Sequence, residues 1–293
     1  MHAVIGATGN TGRVVTHRLL EAGEPVRAIG RSADRLRGLA NAGAESVVAS
    51  CDDRAALEQA LRGAQTVYAM TPPEYTAPDA AEYQRRVGEA IADAIRKTGV
   101  PHVVHLSSVG AQNRSGAGPV SGLGRQEERL DAIPSCNVLH LRAAFFMENL
   151  FAMLPMIREG ILAAPLRPDV PTPWIATCDV GEAAAAALMA RDFQGKQIRE
   201  LHGQRDLTWN EVAAVVGRVV GKPGLRYVRV PFEEAQKGFV QMGVSPSVAA
   251  AYMEMYQAVD DGRLRPLEPR SHRNTTPTSI EQFATALEAA LRS

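Results

Sequence analysis

The sequence lacks several features that would each point to a particular class of protein. Its 32 Lys and Arg residues balance 32 Asp and Glu residues, so no general electric field attracts the chain to nucleic acid. Three isolated cysteines, Cys51, Cys136 and Cys178, form neither a CxxC pair nor a metal-ligand spacing. No apolar run approaches the roughly 18 residues that span a membrane. We therefore expect no metal site, no direct nucleic-acid binding and no membrane contact.

The cysteines and the N-terminus also indicate a compartment. An odd number of cysteines without a secretory segment fits a reducing environment. The chain begins directly as a strand-like segment, MHAVIGATG, with neither a basic stretch nor a long apolar segment before it. We expect a cytoplasmic protein.

The first half of the chain alternates between short apolar segments and amphipathic segments. The apolar segments are rich in Val, Ile and Leu, which is typical of buried parallel strands. They lie at residues 2–6, 25–29, 46–49, 66–70, 102–106 and 137–141. The segments with helical periodicity lie at residues 11–22, 33–41, 54–61, 80–98 and 126–133. This alternation predicts an α/β fold in which helices cover both faces of a doubly wound parallel Rossmann sheet.

After residue 151 helical patterns dominate. They lie at residues 152–159, 180–190, 209–220, 232–242, 246–259 and 280–291, with strand patterns at 197–202 and 225–230. Two capping boxes, Thr208 with Glu211 and Thr278 with Glu281, predict two of the helix starts. We therefore predict a Rossmann domain over residues 1–151 and a smaller, mainly helical substrate-binding lobe over 152–293. Residues from about 172 to 202 are expected to return to the sheet.

A glycine-rich turn, GATGNTG, directly follows the first strand and opens the first helix. A tight turn and a close approach of the backbone to a phosphate both require glycine, and the last glycine lets the helix pack against the strand. The start of the helix then offers free amides and a positive dipole to a diphosphate. The turn therefore predicts that the 1–151 domain binds NAD(P). The predicted cofactor-binding residues here are Gly6, Thr8, Gly9, Asn10, Thr11 and Gly12.

The end of the second strand indicates which nucleotide binds. An acid at this position would hold a ribose 2′-hydroxyl, whereas an arginine suits a 2′-phosphate. The sequence has Arg31 and Ser32 there, with Arg35 one turn later and no acid before Asp34. A guanidinium can bind a phosphate through two hydrogen bonds, so we predict that NADP(H) is favoured over NAD(H).

The GxxGxxG spacing, followed by a strand that ends in Gly-Arg, resembles the NmrA-like family of atypical short-chain dehydrogenases/reductases. Similar segments include FFMEN at residues 145–149, Asp179 and the helix start at residues 206–208, so the resemblance covers almost the whole chain. The family includes NAD(P)H quinone oxidoreductases, triphenylmethane reductases and redox-sensing regulators. The resemblance also implies that Asp52 reaches the adenine edge, although capping of the next helix explains an aspartate there equally well.

Three strand ends are expected to surround the nicotinamide, because the carboxyl ends of parallel strands line the ligand crevice. All three resemble the corresponding NmrA-like segments. The predicted cofactor contacts at these ends are Met70, Thr71, Pro72, Ser107, Ala143 and Phe145. The candidates beside the reacting ring are Ser107, Ser108 and Asn149 as hydrogen-bonding groups and Phe146, with Phe145, as an apolar wall.

Several of these residues have a plain structural alternative. Core packing explains the two phenylalanines, and a strand-end turn explains Ser107. Tyr75, in the loop after the fourth strand, either overhangs the cofactor or is an exposed loop aromatic. The methionine-containing stretch 242–255 is interpreted as packing within the lobe, although methionine also suits a pliable apolar pocket.

The Tyr-xxx-Lys pair of a typical short-chain dehydrogenase is absent from the sequence. Many NmrA-like members keep a Lys or His near the start of the helix that follows the fifth strand, but the matching position here is Gly124. Hydride addition to a ketone creates an alkoxide whose pKa is close to that of water, ~15.7, and needs a proton donor. Hydride addition to a quinone creates a phenolate-like oxygen with a pKa of ~10, which needs little help.

The sequence therefore supports two alternative functions. The first is an NADP(H)-dependent reductase of quinone-like or conjugated aromatic small molecules that works without a Tyr-Lys pair. The second is a non-catalytic NADP(H) sensor that acts through a regulatory protein partner. The missing pair and Gly124 favour the sensor, whereas the apolar FFMEN wall and the C-terminal lobe favour the reductase, which we prefer. The sequence leaves open whether the chain forms a homodimer.

Overall fold

A parallel seven-stranded sheet lies at the centre of the computed structural model, which describes residues 1–292. Residue 293, the last of the predicted lobe, lies outside the described residues. The strands are β1 (His2–Ile5), β2 (Val26–Gly30), β3 (Glu45–Val48), β4 (Thr66–Ala69), β5 (His102–Ser108), β6 (Asn137–Ala143), β7 (Phe145–Phe146), β8 (Ile161–Ala164), β9 (Thr172–Ile175), β10 (Lys196–Leu201), β11 (Asp206–Leu207) and β12 (Arg226–Arg229).

The order of the strands in the central sheet is β10-β6-β5-β4-β1-β2-β3. Every neighbouring pair in it is parallel. The chain changes its direction of travel across the sheet between β1 and β4, which is the switch point where such sheets open a ligand crevice. The predicted doubly wound Rossmann sheet is confirmed.

Helices cover both faces of this sheet. The helices of the whole structure, in chain order, are α1 (Asn10–Glu21), α2 (Ala33–Asn41), α3 (Arg54–Leu61), α4 (Ala80–Thr98), α5 (Pro119–Asp131), α6 (Leu154–Arg158), α7 (Thr177–Ala190), α8 (Trp209–Val219), α9 (Phe232–Gln241), α10 (Pro246–Asp260) and α11 (Ile280–Arg292). Leu19 of α1 and Leu188 of α7 pack on one face, and Leu57 of α3 and Ile95 of α4 on the other. No helix in residues 1–292 is long and apolar enough to cross a membrane.

A second core lies beyond the carboxyl edge of the sheet. It joins a 3₁₀ helix (Met147–Met153), α6, α8 and α11 to two small sheets, β11-β9-β7 and β12-β8. The indole rings of Trp174 and Trp209 meet edge to face at 4.8 Å, so β9 and α8 are held together there. β10 crosses back and pairs with β6 in the central sheet, whereas β9 stays in the small sheet.

Helix α5 begins at Pro119, well before the predicted start at residue 126. Two glycines in its first half, which are weak helix formers, concealed this start from the sequence pattern. A Cβ atom at Gly124 would lie 2.1 Å from the carbonyl oxygen of Ala111. Glycine at this position therefore allows close packing, and Gly124 lies in the helix rather than near its start.

The capping box predicted for Thr208 and Glu211 is confirmed, but the one predicted for Thr278 and Glu281 is wrong. Ser279 caps α11, because its hydroxyl accepts a hydrogen bond from the amide of Gln282 at 3.2 Å. Thr278 instead donates its hydroxyl to the buried carboxylate of Asp179 at 2.6 Å. This tertiary partner displaces the cap by one residue.

Candidate functional site

The glycine turn between β1 and α1 is as tight as steric limits allow. Gly6 has a φ of 70° and its carbonyl accepts the amide of Gly9 at 2.9 Å. A Cβ atom at Gly12 would lie 2.3 Å from the carbonyl oxygen of Gly6. Any larger residue at position 12 would force the backbone apart, so this glycine lets α1 start directly against the strand.

The amides at the start of α1 have no side-chain cap among the described residues. Gly9 occupies the N-cap position, and the first turn of the helix carries no acid. The hydroxyl of Thr11 is turned into the core, where it accepts a hydrogen bond from Tyr68 at 2.8 Å. The exposed Asn10 and the half-buried Thr8 complete the turn. The free amides and the helix dipole make the N-terminus of α1 suitable for binding a diphosphate.

Two guanidinium groups flank this turn. Arg35 Nη2 donates to the carbonyl of Thr8 at 2.8 Å, and Ser32 caps α2 by accepting the amide of Arg35 at 3.4 Å. Arg31 Nη1 donates to Glu74 Oε2 at 3.1 Å, and this hydrogen bond raises the pKa of Arg31. The residues fit a phosphorylated ribose, but Glu74 competes for one donor of Arg31.

Asp52 lies beside Arg31 in a second cavity of about 360 Å³. A hydrogen bond from Ser50 lowers the pKa of Asp52, with a smaller contribution from Arg86, which lies 3.1 Å away. The cap of α3 is Asp53, whose side chain accepts the amide of Ala56 at 3.0 Å. The capping alternative for Asp52 is therefore wrong, and its predicted contact with adenine stays a prediction.

A cavity of about 310 Å³ opens at the carboxyl ends of β4, β5 and β6. The strand ends form its floor, and α4, the start of α5 and α10 form its roof. Floor and adjoining segments contribute Met70, Thr71, Pro72, Pro73, Glu74, Tyr75, Leu106, Ser107, Ser108, Ala143, Ala144, Phe145, Phe146 and Asn149. The roof contributes Ala80, Tyr83, Gln84, Pro119, Val120, Leu123, Val248, Tyr252 and Met255.

The roof is fastened to the loop between β4 and α4. The amide of Ser245 donates to the carbonyl of Tyr75 at 2.8 Å, and the Ser245 hydroxyl donates to the carbonyl of Ala77 at 2.5 Å. The amide of Ala80 donates to Ser247 Oγ at 3.0 Å. The ring of Tyr75 lies 6.2 Å from that of Tyr252, so α10 and this loop enclose the cavity together.

The cavity is almost free of charge. Of its described lining residues, Glu74 alone carries a carboxylate, none is Lys, Arg or His, and Glu74 is itself paired with Arg31. Burial raises the pKa of Tyr83 to about 12 and raises that of Tyr252 further above its ordinary range. Both phenols are therefore neutral near pH 7. An uncharged, flat ligand fits this lining best.

A buried ion pair lies behind the floor of the cavity. Arg142 donates to both carboxylate oxygens of Glu127, at 2.9 and 2.7 Å. The hydroxyl of Ser107, which lines the cavity, donates to Glu127 Oε1 at 2.6 Å. Burial on its own would raise the pKa of Glu127, but the hydrogen bonds from Arg142 and Ser107 outweigh it and hold the pKa at about 2.

The structure brings the nine residues predicted around the nicotinamide to this one cavity. Phe145 also packs at 4.7 Å on Trp174, so it belongs to the lobe core as well as to the cavity wall. Sequence reasoning missed the roof residues of α5, the buried Glu127 and Tyr252. The interpretation of 242–255 as lobe packing is wrong at its ends, because Met255 lines the cavity and Met242 is 64% exposed.

Comparison with known proteins gives a family and several relatives. The model of the NmrA-like family matches residues 2–284. A (4-alkanoyl-5-oxo-2,5-dihydrofuran-3-yl)methyl phosphate reductase of Streptomyces griseus is 32% identical over 87% of this chain and 85% of that protein. An NAD(P)H azoreductase of Xenophilus azovorans is 30% identical over 87% of this chain and 86% of that protein.

Solved structures show the same fold. An NADPH-dependent quinone oxidoreductase of Escherichia coli, solved in complex with NADPH, superposes with a TM-score of 0.82. The alignment covers 98% of this chain and 99% of that one, at 22% identity. At this identity the likeness concerns the fold, which the two chains share over almost their whole length.

Proposed function

This chain belongs to the NmrA-like family, and we propose that it is an NADP(H)-dependent oxidoreductase that reduces quinone-like or other conjugated aromatic small molecules. The observation that carries the proposal is the nearly uncharged, aromatic-walled cavity at the ends of β4 to β6, next to an uncapped helix start on the same edge of the sheet. Relatives named as reductases support the general activity.

The proposed cofactor position follows the edge of the sheet. The diphosphate lies on the amides of α1, the 2′-phosphate lies at Arg31 and Arg35, and the nicotinamide lies on the cavity floor between Met70 and Ala143. A nicotinamide bound there supplies a hydride. The protein holds the acceptor against it and excludes water, which is the main contribution that positioning makes to such a transfer.

The proposed acceptors are those whose product needs no strong acid. The cavity offers hydroxyls and neutral phenols and, among its described lining residues, no Lys or His that could act as a proton donor near pH 7. A quinone that accepts a hydride becomes a phenolate-type anion with a pKa of ~10, which takes its proton from water. An ordinary ketone would require a donor that matches an alkoxide.

The cavity also favours acceptors without an anionic group. The Streptomyces relative is named for a phosphate ester, but a phosphate in this cavity would find no described Lys or Arg on its walls. Burying an unpaired anion is costly. We therefore place the substrate of this chain among neutral conjugated rings rather than phosphate esters.

The test mixes the protein with NADPH and a panel of neutral quinones, azo dyes, triphenylmethane dyes and conjugated aldehydes. The measurement is the loss of the near-ultraviolet absorbance of NADPH against a protein-free blank. Oxidation of NADPH by quinones or dyes is the expected result. Tight NADPH binding with no oxidation across the whole panel would contradict the proposal and favour a sensor that signals through a protein partner.

A further inference from the structure

Ser107 is held in a way that fixes the direction of its hydrogen bond. It is the penultimate residue of β5, in register with Arg142 of β6, and it is 3% exposed. Its hydroxyl is 2.6 Å from Glu127 Oε1, and Glu127 and Arg142 are 1% and 2% exposed. The serine therefore stands between the cavity and a desolvated ion pair.

The carboxylate of Glu127 has no proton to give. Its two oxygens accept from Arg142 Nε, Arg142 Nη2 and Arg114 Nη1, the last at 3.3 Å. A carboxylate with three cationic donors is ionised and only accepts hydrogen bonds. The one hydrogen available between Ser107 and Glu127 is that of the serine hydroxyl, so Ser107 is the donor in this bond.

With its hydrogen committed, Ser107 presents only lone pairs to the cavity. A ligand that meets it must therefore supply an N–H or O–H group. Ser107 lies on the floor, at the strand ends, whereas the surfaces that cover the cavity come from α4, α5 and α10. In the proposed cofactor position the nicotinamide lies on this floor, and the hydrogen-bond donor of that ring is its carboxamide.

We propose that Ser107 accepts a hydrogen bond from the carboxamide NH₂ of bound nicotinamide, and that Glu127, held by Arg142, is the positioning residue that keeps Ser107 an acceptor. This inference rests on the proposed binding of NADP(H), but it does not depend on which acceptor is reduced or on whether any is. It assigns the Glu127–Arg142 pair a part in orienting the ring that the cavity encloses.

The test compares two cofactors that differ at the carboxamide. The 3-acetylpyridine analogue of NADPH carries a methyl ketone in place of the amide and has no N–H to donate. Dissociation constants are measured by titration calorimetry for the wild type, Ser107→Ala, Ser107→Thr and the exposed control Ser46→Ala. We expect Ser107→Ala to weaken NADPH binding about tenfold and binding of the analogue less than about twofold. Ser107→Thr keeps the hydroxyl and should therefore bind NADPH more tightly than the analogue, nearly as the wild type does.

Glu127→Gln tests the positioning role. A glutamine amide can donate to Ser107 and leave the serine hydrogen free to point into the cavity. We expect this variant to bind NADPH more weakly and the analogue, whose carbonyl accepts hydrogen bonds, at least as well as the wild type. A merely structural role would lower both affinities together. A melting curve of each variant verifies that it is folded, and Ser107→Ala carries the test if Glu127→Gln does not fold.

Each result has a definite meaning. Equal losses for both cofactors in Ser107→Ala, or no loss for either, would overturn the inference while leaving the proposed function intact. A raised Michaelis constant for the acceptor with unchanged cofactor affinities would also overturn it, because Ser107 would then contact the substrate. Failure of the wild type to bind NADPH would instead remove the proposed function.

Discussion

At the glycine turn the cleft presents backbone amides and two guanidinium groups, whereas at the ends of β4 to β6 it presents rings, methyl groups and neutral hydroxyls. The first end is built from residues 6–12 and the loops beside them, and the second from residues between 70 and 255. Charge suits the phosphates of a dinucleotide, and its absence suits a flat conjugated ring. Under the proposed function, the charged end would anchor the cofactor and the neutral end would hold the reacting rings.

The largest expected effect is at the charged end. In Gly12→Ala the new Cβ would overlap the carbonyl oxygen of Gly6, so we expect the dissociation constant for NADPH to rise by at least about a hundredfold, or roughly 3 kcal/mol. Gly9→Ala, with a milder contact of 3.3 Å, should fall between this variant and the wild type. Gly38→Ala, which meets nothing within 4 Å, is the matched control. Unchanged NADPH binding by a folded Gly12→Ala protein would refute the anchoring role.

The ion pair behind the cavity floor should make the free energy of unfolding depend on pH. The folded pKa of Glu127, about 2, lies below its ordinary value of 4.5, so its charged form stabilises the fold above pH 4.5. This contribution, roughly 3 kcal/mol, is lost as the pH falls from about 4.5 towards 2. We expect the gap in unfolding free energy between wild type and Glu127→Gln, from urea titrations, to shrink below about pH 4.5. Glu128→Gln, at the neighbouring exposed glutamate, is the control, and we expect its free energy of unfolding to stay close to that of the wild type.

Removal of one guanidinium should separate the two nucleotides. Arg31→Ala is expected to weaken NADPH binding about thirtyfold and NADH binding by less than about twofold, because only NADPH carries the 2′-phosphate. Arg37→Ala is the control, because Arg37 is an exposed arginine of the adjoining helix α2 and is paired with Asp34. Titration calorimetry measures the dissociation constants of both nucleotides. An equal loss of affinity for NADPH and NADH would show that Arg31 does not bind the 2′-phosphate.

A new charge in the neutral end should change substrate choice. Leu123→Arg places a guanidinium in the cavity roof, and we expect the ratio of kcat/KM for a sulfonated naphthoquinone to that for its neutral parent to rise about tenfold. Val240→Arg adds the same charge on α9, at a side chain that is 41% exposed and outside the cavity lining. A similar rise in both variants would mean that overall charge, and not the cavity, sets the preference.

The smallest effect is expected where the two ends meet. Glu74 pairs with Arg31 and also lines the cavity, so its carboxylate would compete with a 2′-phosphate bound at Arg31. Hydrogen bonds from Thr76 and then Arg31 lower the pKa of Glu74, which keeps it charged near pH 7. Glu74→Gln should strengthen NADPH binding about threefold and leave NADH nearly unchanged. Weaker NADPH binding in this variant would show that Glu74 helps to hold Arg31 in place.

The sequence predicted the sheet and the turn well, because both depend on local patterns. Alternating apolar and helical segments identify the strands of a parallel sheet, and the glycines at 6, 9 and 12 identify the turn. Local patterns failed where a distant partner decided the outcome. Thr278 binds Asp179 instead of capping its predicted helix. Close packing requires glycine at position 124, and this weak helix former obscured the first half of α5 in the sequence pattern.

By itself, the sequence determined the Rossmann order of elements and the strand ends that form the cavity floor. Only the tertiary structure decided what lies above and behind that floor. Part of the roof comes from α10, which lies far along the chain from the last floor residue, Asn149. The direction of the Ser107 hydrogen bond depends on Glu127 and Arg142, which lie on two other elements. Periodicity records which face of an element is buried, but it carries no information about which distant side chain that face will meet.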